Sequence, residues 1–240
     1  MMLRKLLIFL LVAFLTKLNS QEANIFTYPD VDAQLIKLWI QAEKSAGYQL
    51  TETYMGLETI WYMSKEQLLR KEFRHVNIDD FVAEQDQLIR TIEPLLSSNE
   101  YRQIAEKSYV ILWNFQEIRK YFTSDLYPLD ELLTAFSTYD KLHAAVDDPM
   151  LDLYEWNEFI QLFTDFKKQF KRYVVMSEPG FSSEKHVLFK LGVQRVFECS
   201  EEFEAALKTA QQNDFVAPCD DTRDALMELI SLYQDPDSSL

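Results

Sequence analysis

The chain has 240 residues, a formal charge of −15, 48% hydrophobic and 26% charged residues. That composition excludes a disordered polymer, and the acidity argues against a surface built for nucleic-acid phosphates or anionic headgroups. Gly is scarce, at four residues (Gly47, Gly56, Gly180 and Gly192), which disfavours sheet-rich architectures with many positive-φ turns.

Residues 1–5 are short and basic, and Leu6 to Leu15 is a ten-residue apolar run. Leu18-Asn19-Ser20 then places a small residue before a cut at Gln21. This is the pattern of a secretory signal, and the run falls short of the ~20 apolar residues that a membrane span needs. Residues 1–20 are read as a signal peptide, and the mature protein as exported, periplasmic or extracellular, without a transmembrane helix. Removing Arg4, Lys5 and Lys17 with the signal takes the charge from −15 to near −18.

Residues 21–76 read as an N-terminal helical arm or hairpin, part of the same fold as the rest of the chain, behind a short extended lead-in. Asp30 is placed to cap a helix from about Val31 to Ala46, with Leu35, Leu38, Trp39 and Ala42 as its stripe and Gly47 at C′. Residues 48–63 carry Thr, Tyr, Ile and Trp, which suit a strand, and Gly56 could turn a hairpin. However, Leu50, Tyr54, Leu57, Trp61, Ser64 and Leu68 recur at 4-3-4-3-4 spacing, which favours a helix. Ser64-x-x-Gln67 resembles a capping box that opens or restarts a helix toward His75.

Residues 77–234 read as a helical bundle. Asp79 or Asp80 caps a helix that Pro94 kinks or ends. Ser97-Ser98-Asn99 is a loop and cap before a long helix near 100–122, with Ile104, Ser108, Ile111, Phe115, Ile118 and Phe122 as its seam. Pro128 opens a helix to about Val146, and Asp148-Pro149 opens another near 149–175. In that last helix Trp156, Phe159, Phe163, Phe166, Phe170 and Tyr173 step by 3-4-3-4-3. Such a row forms either the wall of a core or a groove for an apolar ligand or partner helix. A helix near 183–212 follows, where Gly192, Ala206 and Ala210 permit close approach of a neighbour. Residues 213–219 read as a connector in which Phe215-Val216 could dock or anchor. A last helix spans about Asp221 to Tyr233, and residues 235–240 form a flexible tail.

Cys199 and Cys219 are the two cysteines, and an oxidising compartment favours a disulfide between them. No C-x-x-C, nucleophile elbow, phosphate loop, dinucleotide glycine fingerprint or H-E-x-x-H occurs. Glu72-Phe73-Arg74-His75 and Asp140-Lys141-Leu142-His143 are two carboxylate-x-x-His motifs. Paired motifs of this kind build carboxylate-bridged di-metal sites in helical bundles. Here Glu72, His75, Asp140 and His143 lack identifiable supporting carboxylates, so they are candidates for a metal site that the pattern does not complete. Lys167, Lys168, Lys171 and Arg172 fall near a helix end, where cations complement the macrodipole.

The expected fold is all-α, an up-and-down antiparallel bundle of about six to seven helices. Its order of signal, short extended lead-in and long helices resembles the layout of minor-pilin-like periplasmic subunits of conjugative secretion systems. That resemblance concerns layout and transfers no residue. The expected function is non-enzymatic: a protein-interaction or scaffolding component, of a cell envelope or a secretion apparatus, with a protein partner and no cofactor. The alternatives are a carrier of an apolar ligand between helices and a carboxylate/His metalloenzyme.

Overall fold

The computed structural model describes residues 29–70, 77–122, 127–146, 156–176, 181, 183–209 and 212–235. Every regular element among them is helical, as the apolar spacing predicts. The expected signal, the lead-in, the Asp148-Pro149 helix start, the Ser177–Gly180 turn and nearly all of the tail lie outside the described residues, as do Glu72 and His75. The chain divides into two compact units, Met1–Asp125 and Leu126–Leu240. The helices on either side of the boundary expected at residue 76 pack together inside the first unit.

The first unit contains α1 (Pro29–Glu43), α2 (Gly47–Leu69), α3 (Ile78–Arg90), α4 (Ile92–Ser98) and α5 (Tyr101–Phe122). Helix α1 buries Leu35, Leu38, Trp39 and Ala42, the expected stripe. Its end differs from expectation. Ser45, at φ 52°, takes the left-handed position expected of Gly47, and Gly47 instead opens α2. Ala46 N–H donates to the Gln41 carbonyl (2.9 Å) and Ser45 N–H to that of Ala42 (3.0 Å). These two Schellman bonds satisfy carbonyls that the helix end leaves open, offsetting the ~1 kcal/mol cost of a left-handed non-Gly residue.

Residues 48–63 are helix, not hairpin: α2 runs unbroken and buries Leu50, Tyr54, Leu57, Trp61, Ser64 and Leu68. Burial of that stripe overrides the strand preference of its Thr and Tyr residues. Ser64 therefore sits inside the helix and opens nothing. Asn77, rather than Asp79 or Asp80, caps α3 by accepting from the Asp80 N–H. The break expected at Pro94 comes at Thr91, and Pro94 occupies the first turn of α4, where its missing N–H costs nothing. Helix α5 buries Ile104, Ser108, Ile111, Phe115 and Ile118.

One buried ion pair joins α1 to α5. Arg119 Nη1 donates to both carboxylate oxygens of Asp32 at 3.3 and 3.1 Å. Both side chains are 1% exposed. Asp32 lies in the first turn of α1 and Arg119 in the last turn of α5, so each charge also faces the favourable end of a helix dipole.

The second unit contains α6 (Pro128–Val146), α7 (Trp156–Met176), α8 (Ser183–Leu207) and α9 (Gln212–Ser231), which ends in a 3₁₀ turn at Leu232–Gln234. The contacts run antiparallel. Glu131 and Tyr139 of α6 meet Arg172 and Phe166 of α7, while Gly192 and Phe203 of α8 meet Leu229 and Phe215 of α9. Helix α9 also returns to α6, completing an up-down-up-down four-helix bundle. Gly192 plays the part its size suggests: a Cβ there would stand 2.6 Å from the Leu229 side chain.

Two boundaries differ from expectation. Helix α8 stops at Leu207, and the supposed connector at 213–219 is the start of α9 with Pro218 inside it. Phe215, Cys219, Thr222, Leu226 and Leu229 form a buried 4-3-4-3 stripe that holds this segment helical despite the proline. The expected Cys199–Cys219 disulfide is not formed. With α9 starting early, the Cys219 thiol turns into the core and pairs with Tyr139 Oη at 3.3 Å.

The buried pair makes a sharp prediction. Arg119→Leu, which removes the guanidinium from the buried Asp32 carboxylate, should cost roughly 3–5 kcal/mol of unfolding free energy in urea melts followed by Trp fluorescence. Asp32→Leu added to Arg119→Leu should restore most of that loss, because the buried carboxylate is then removed as well.

Candidate interaction surface

The aromatic row of α7 is part of the core of the second unit. Phe159, Phe163, Phe166, Phe170 and Tyr173 are buried, and Trp156 is half-buried. Phe203 of α8 stands edge-on to Phe163 at 5.1 Å and Tyr139 of α6 edge-on to Phe166 at 4.7 Å. Phe197 meets Phe170 at 5.3 Å, and Phe189 meets Tyr173 at 5.9 Å. Each such pair adds about 0.5–1.5 kcal/mol to the burial of the rings. These faces are covered by the unit's own side chains.

The titratable candidates are engaged elsewhere. His143 Nε2 lies 2.7 Å from Asp220 Oδ1, and Arg223 Nε donates to Asp140 Oδ1 at 3.3 Å, so both motif residues of α6 pair with α9. Among the described residues no cluster of three or more His, Cys, Asp or Glu is placed to hold a metal ion. Of the basic cluster, Lys167 pairs with Glu204 of α8 and Arg172 with Glu131 of α6. The Lys167 hydrogen bond holds the Glu204 carboxyl below its usual range. Burial, with Asp221 nearby, pushes the Cys199 thiol up, which keeps it protonated and a poor nucleophile at neutral pH.

Helix α2 is different because it carries a row of exposed apolar side chains as well as a buried stripe. While Leu50 to Leu68 point inward, Tyr48, Met55, Tyr62 and Leu69 recur at seven-residue intervals on the other side. Tyr48 is 83% exposed, Met55 62% and Tyr62 61%. Met63 and Leu69 are exposed beside them. Seven residues make nearly two full turns, so these side chains form one strip along the helix. Glu52, Thr59 and Glu66 alternate with them at 4-3 spacing, so apolar residues occupy one position of each heptad pair and polar residues the other. This row was present in the sequence but hidden behind the stronger inner stripe.

Beside this strip, α2 and α3 enclose a groove of about 480 Å³ lined by Trp61, Tyr62, Met63, Asp86, Ile89 and Arg90 among others. Asp86 braces it: the Trp61 indole N–H donates to Oδ1 at 2.6 Å, and Lys65 Nζ to Oδ2 at 2.8 Å. Partial burial would raise the Asp86 pKa, but the hydrogen bonds from Lys65 and Trp61 outweigh it and bring the net value below the usual carboxylate range.

The second unit also exposes Val187, Leu188 and Leu191 of α8 and Val175 near the end of α7. A groove of about 580 Å³ there is lined by Val174, Val175, Phe189, Val193 and Phe197 with polar neighbours. No described helix is long and apolar enough to cross a membrane. No protein-family model, curated protein or solved structure matches the chain.

The brace has a definite pH dependence. Because the folded pKa of Asp86 lies below its unfolded value, its stabilisation is present in full above the unfolded value of about 4 and is lost as pH falls through the folded one. Wild type should therefore be more stable than Asp86→Asn at neutral pH, and the gap between their urea midpoints should close as the pH is lowered below about 4.

Proposed function

We propose that this chain is a non-enzymatic helical protein that docks another protein on the outer face of α2, and that it does so outside the cytoplasm once residues 1–20 are removed. The observation that carries the docking reading is the strip of Tyr48, Met55, Tyr62 and Leu69, exposed along a helix whose opposite face is spent on the core. Single exposed apolar residues are ordinary on protein surfaces, whereas a row of large apolar side chains repeating every seven residues along one helix is a geometry that can receive a partner helix. Tyr and Met are also residue types favoured at interfaces, since they give large contact area with a polar tip or a flexible fit.

A carrier that holds an apolar ligand against Phe163 and Phe166 is less favoured, because rings from neighbouring helices occupy those faces. The layout shared with minor-pilin-like subunits involves none of the α2 strip. Export rests on the basic start and apolar run before Gln21.

Two measurements test these readings. A photo-crosslinking amino acid at Tyr62 or Met55 should yield one discrete protein adduct in the native cell, and the same group at the exposed Glu106 of α5 should yield none. Equal labelling from Glu106, or no adduct from either strip position, overturns the docking surface. The intact mass of protein recovered from its native envelope or medium should correspond to a chain beginning at Gln21; a chain that retains Met1 to Ser20 overturns the export reading.

A further inference from the structure

We infer that the partner segment on α2 is a cationic amphipathic helix, with an apolar stripe flanked by Arg or Lys; this rests on α2 being the docking face. The face has a charge as well as a shape. Glu52 and Glu58 are exposed and Glu66 is half-exposed, and all lie beside or between the apolar residues. The cations close by are already committed. Lys65 is held 2.8 Å from Asp86, and Arg70 lies 3.9 Å from Glu66. Among the described residues Glu52 and Glu58 form no ion pair, and the Glu66 pair with Arg70 is long and exposed, so the strip is bordered by net negative charge and matches a helix whose apolar residues are bordered by cations.

From Tyr48 to Leu69 the strip extends about 30 Å, enough to receive about three heptads of a partner helix. The exposed ring of Tyr48 adds a face on which a guanidinium can rest, which favours Arg over Lys, whereas the chain's own Lys65 already stands over the Tyr62 ring at 5.4 Å. At one side the groove over Trp61 and Ile89, open beside Tyr62 and Met63, offers space for one large apolar side chain of the partner.

Charge also decides against the other occupants. A second copy of the chain would bring its own Glu52, Glu58 and Glu66 against the same three residues, within a protein that carries a net −15. Like charges at the flanks of a helix pair oppose association. An anionic membrane surface is repelled for the same reason.

The test uses the full-length mature protein and three synthetic helical peptides of about three heptads with Leu at the seam. Their flanking positions carry Arg, Gln or Glu, and binding is read by fluorescence anisotropy at low and high salt. The Arg peptide should bind at least about tenfold more tightly than the Gln peptide at low salt, lose that margin at high salt, and exceed the Glu peptide further. The surface variant Glu52→Gln/Glu58→Gln/Glu66→Gln should abolish the Arg-over-Gln preference while leaving the helical circular dichroism signal intact. Tyr62→Ala with Met55→Ala should weaken all binding. Equal affinity for Arg and Gln peptides overturns the cationic partner but leaves the docking face standing, provided Met55→Ala and Tyr62→Ala still weaken both. Failure of every peptide, or a concentration-dependent dimer in sedimentation velocity that Met55→Glu dissolves, overturns the inference. The crosslinking from Tyr62 then decides the docking face separately.

Discussion

The indole of Trp61 is held at both its apolar and its polar parts. Its ring stands edge-on to Phe115 of α5 at 5.6 Å, and its N–H donates to Asp86 of α3 at 2.6 Å. A side chain pinned by two different helices fixes the rotation of α2 about its own axis. With Trp61 turned inward, the helical period turns Met55, Tyr62 and Leu69 away from the core. The exposed strip is thus a consequence of how the first unit packs, and it is presented by a rigid element. Rigidity lowers the ordering cost that a partner must meet on binding.

In the second unit a phenylalanine has the role that Phe115 has in the first. Phe203 is fully buried and meets Tyr139, Phe159, Phe163 and Phe215, so that rings from α6, α7, α8 and α9 converge on one position. The aromatic wealth of α7 is consumed here. Aromatic rings stacked along a helix look the same in sequence whether they line a core or a ligand groove. In this unit the neighbouring helices supply rings of their own, edge-on, and the row becomes interior.

The charges follow a division of labour. Asp32 and Arg119 are removed from water and join the two helix ends that each charge favours. Other pairs, such as Arg195 with Glu228 and Arg102 with Glu106, are exposed and contribute little to stability, on the order of 0–1 kcal/mol each. The chain keeps a formal net charge of −15 beyond these pairs.

Periodicity alone determined that the chain is helical, that Leu50 to Leu68 is one stripe in spite of its strand-forming residues, and that Gly192 admits a close neighbour. These are local properties: a 4-3 rhythm and the lack of a Cβ are legible without knowing what lies opposite. Pro218 hid the start of α9, because a proline reads as a break unless the burial of Phe215 and Cys219 is known to override it. The left-handed turn at Ser45 was hidden for a similar reason, since its two capping bonds depend on carbonyls that only the finished helix end leaves open. The pairing of Asp32 with Arg119 joins residues far apart in the chain, and no local pattern announces it. The outer strip of α2 shows the difference most clearly. Its residues and their seven-residue spacing were in the sequence all along, but spacing cannot say which of two apolar rows is covered. Only the neighbouring helices decide that, because burial belongs to the pair of surfaces in contact and not to either one.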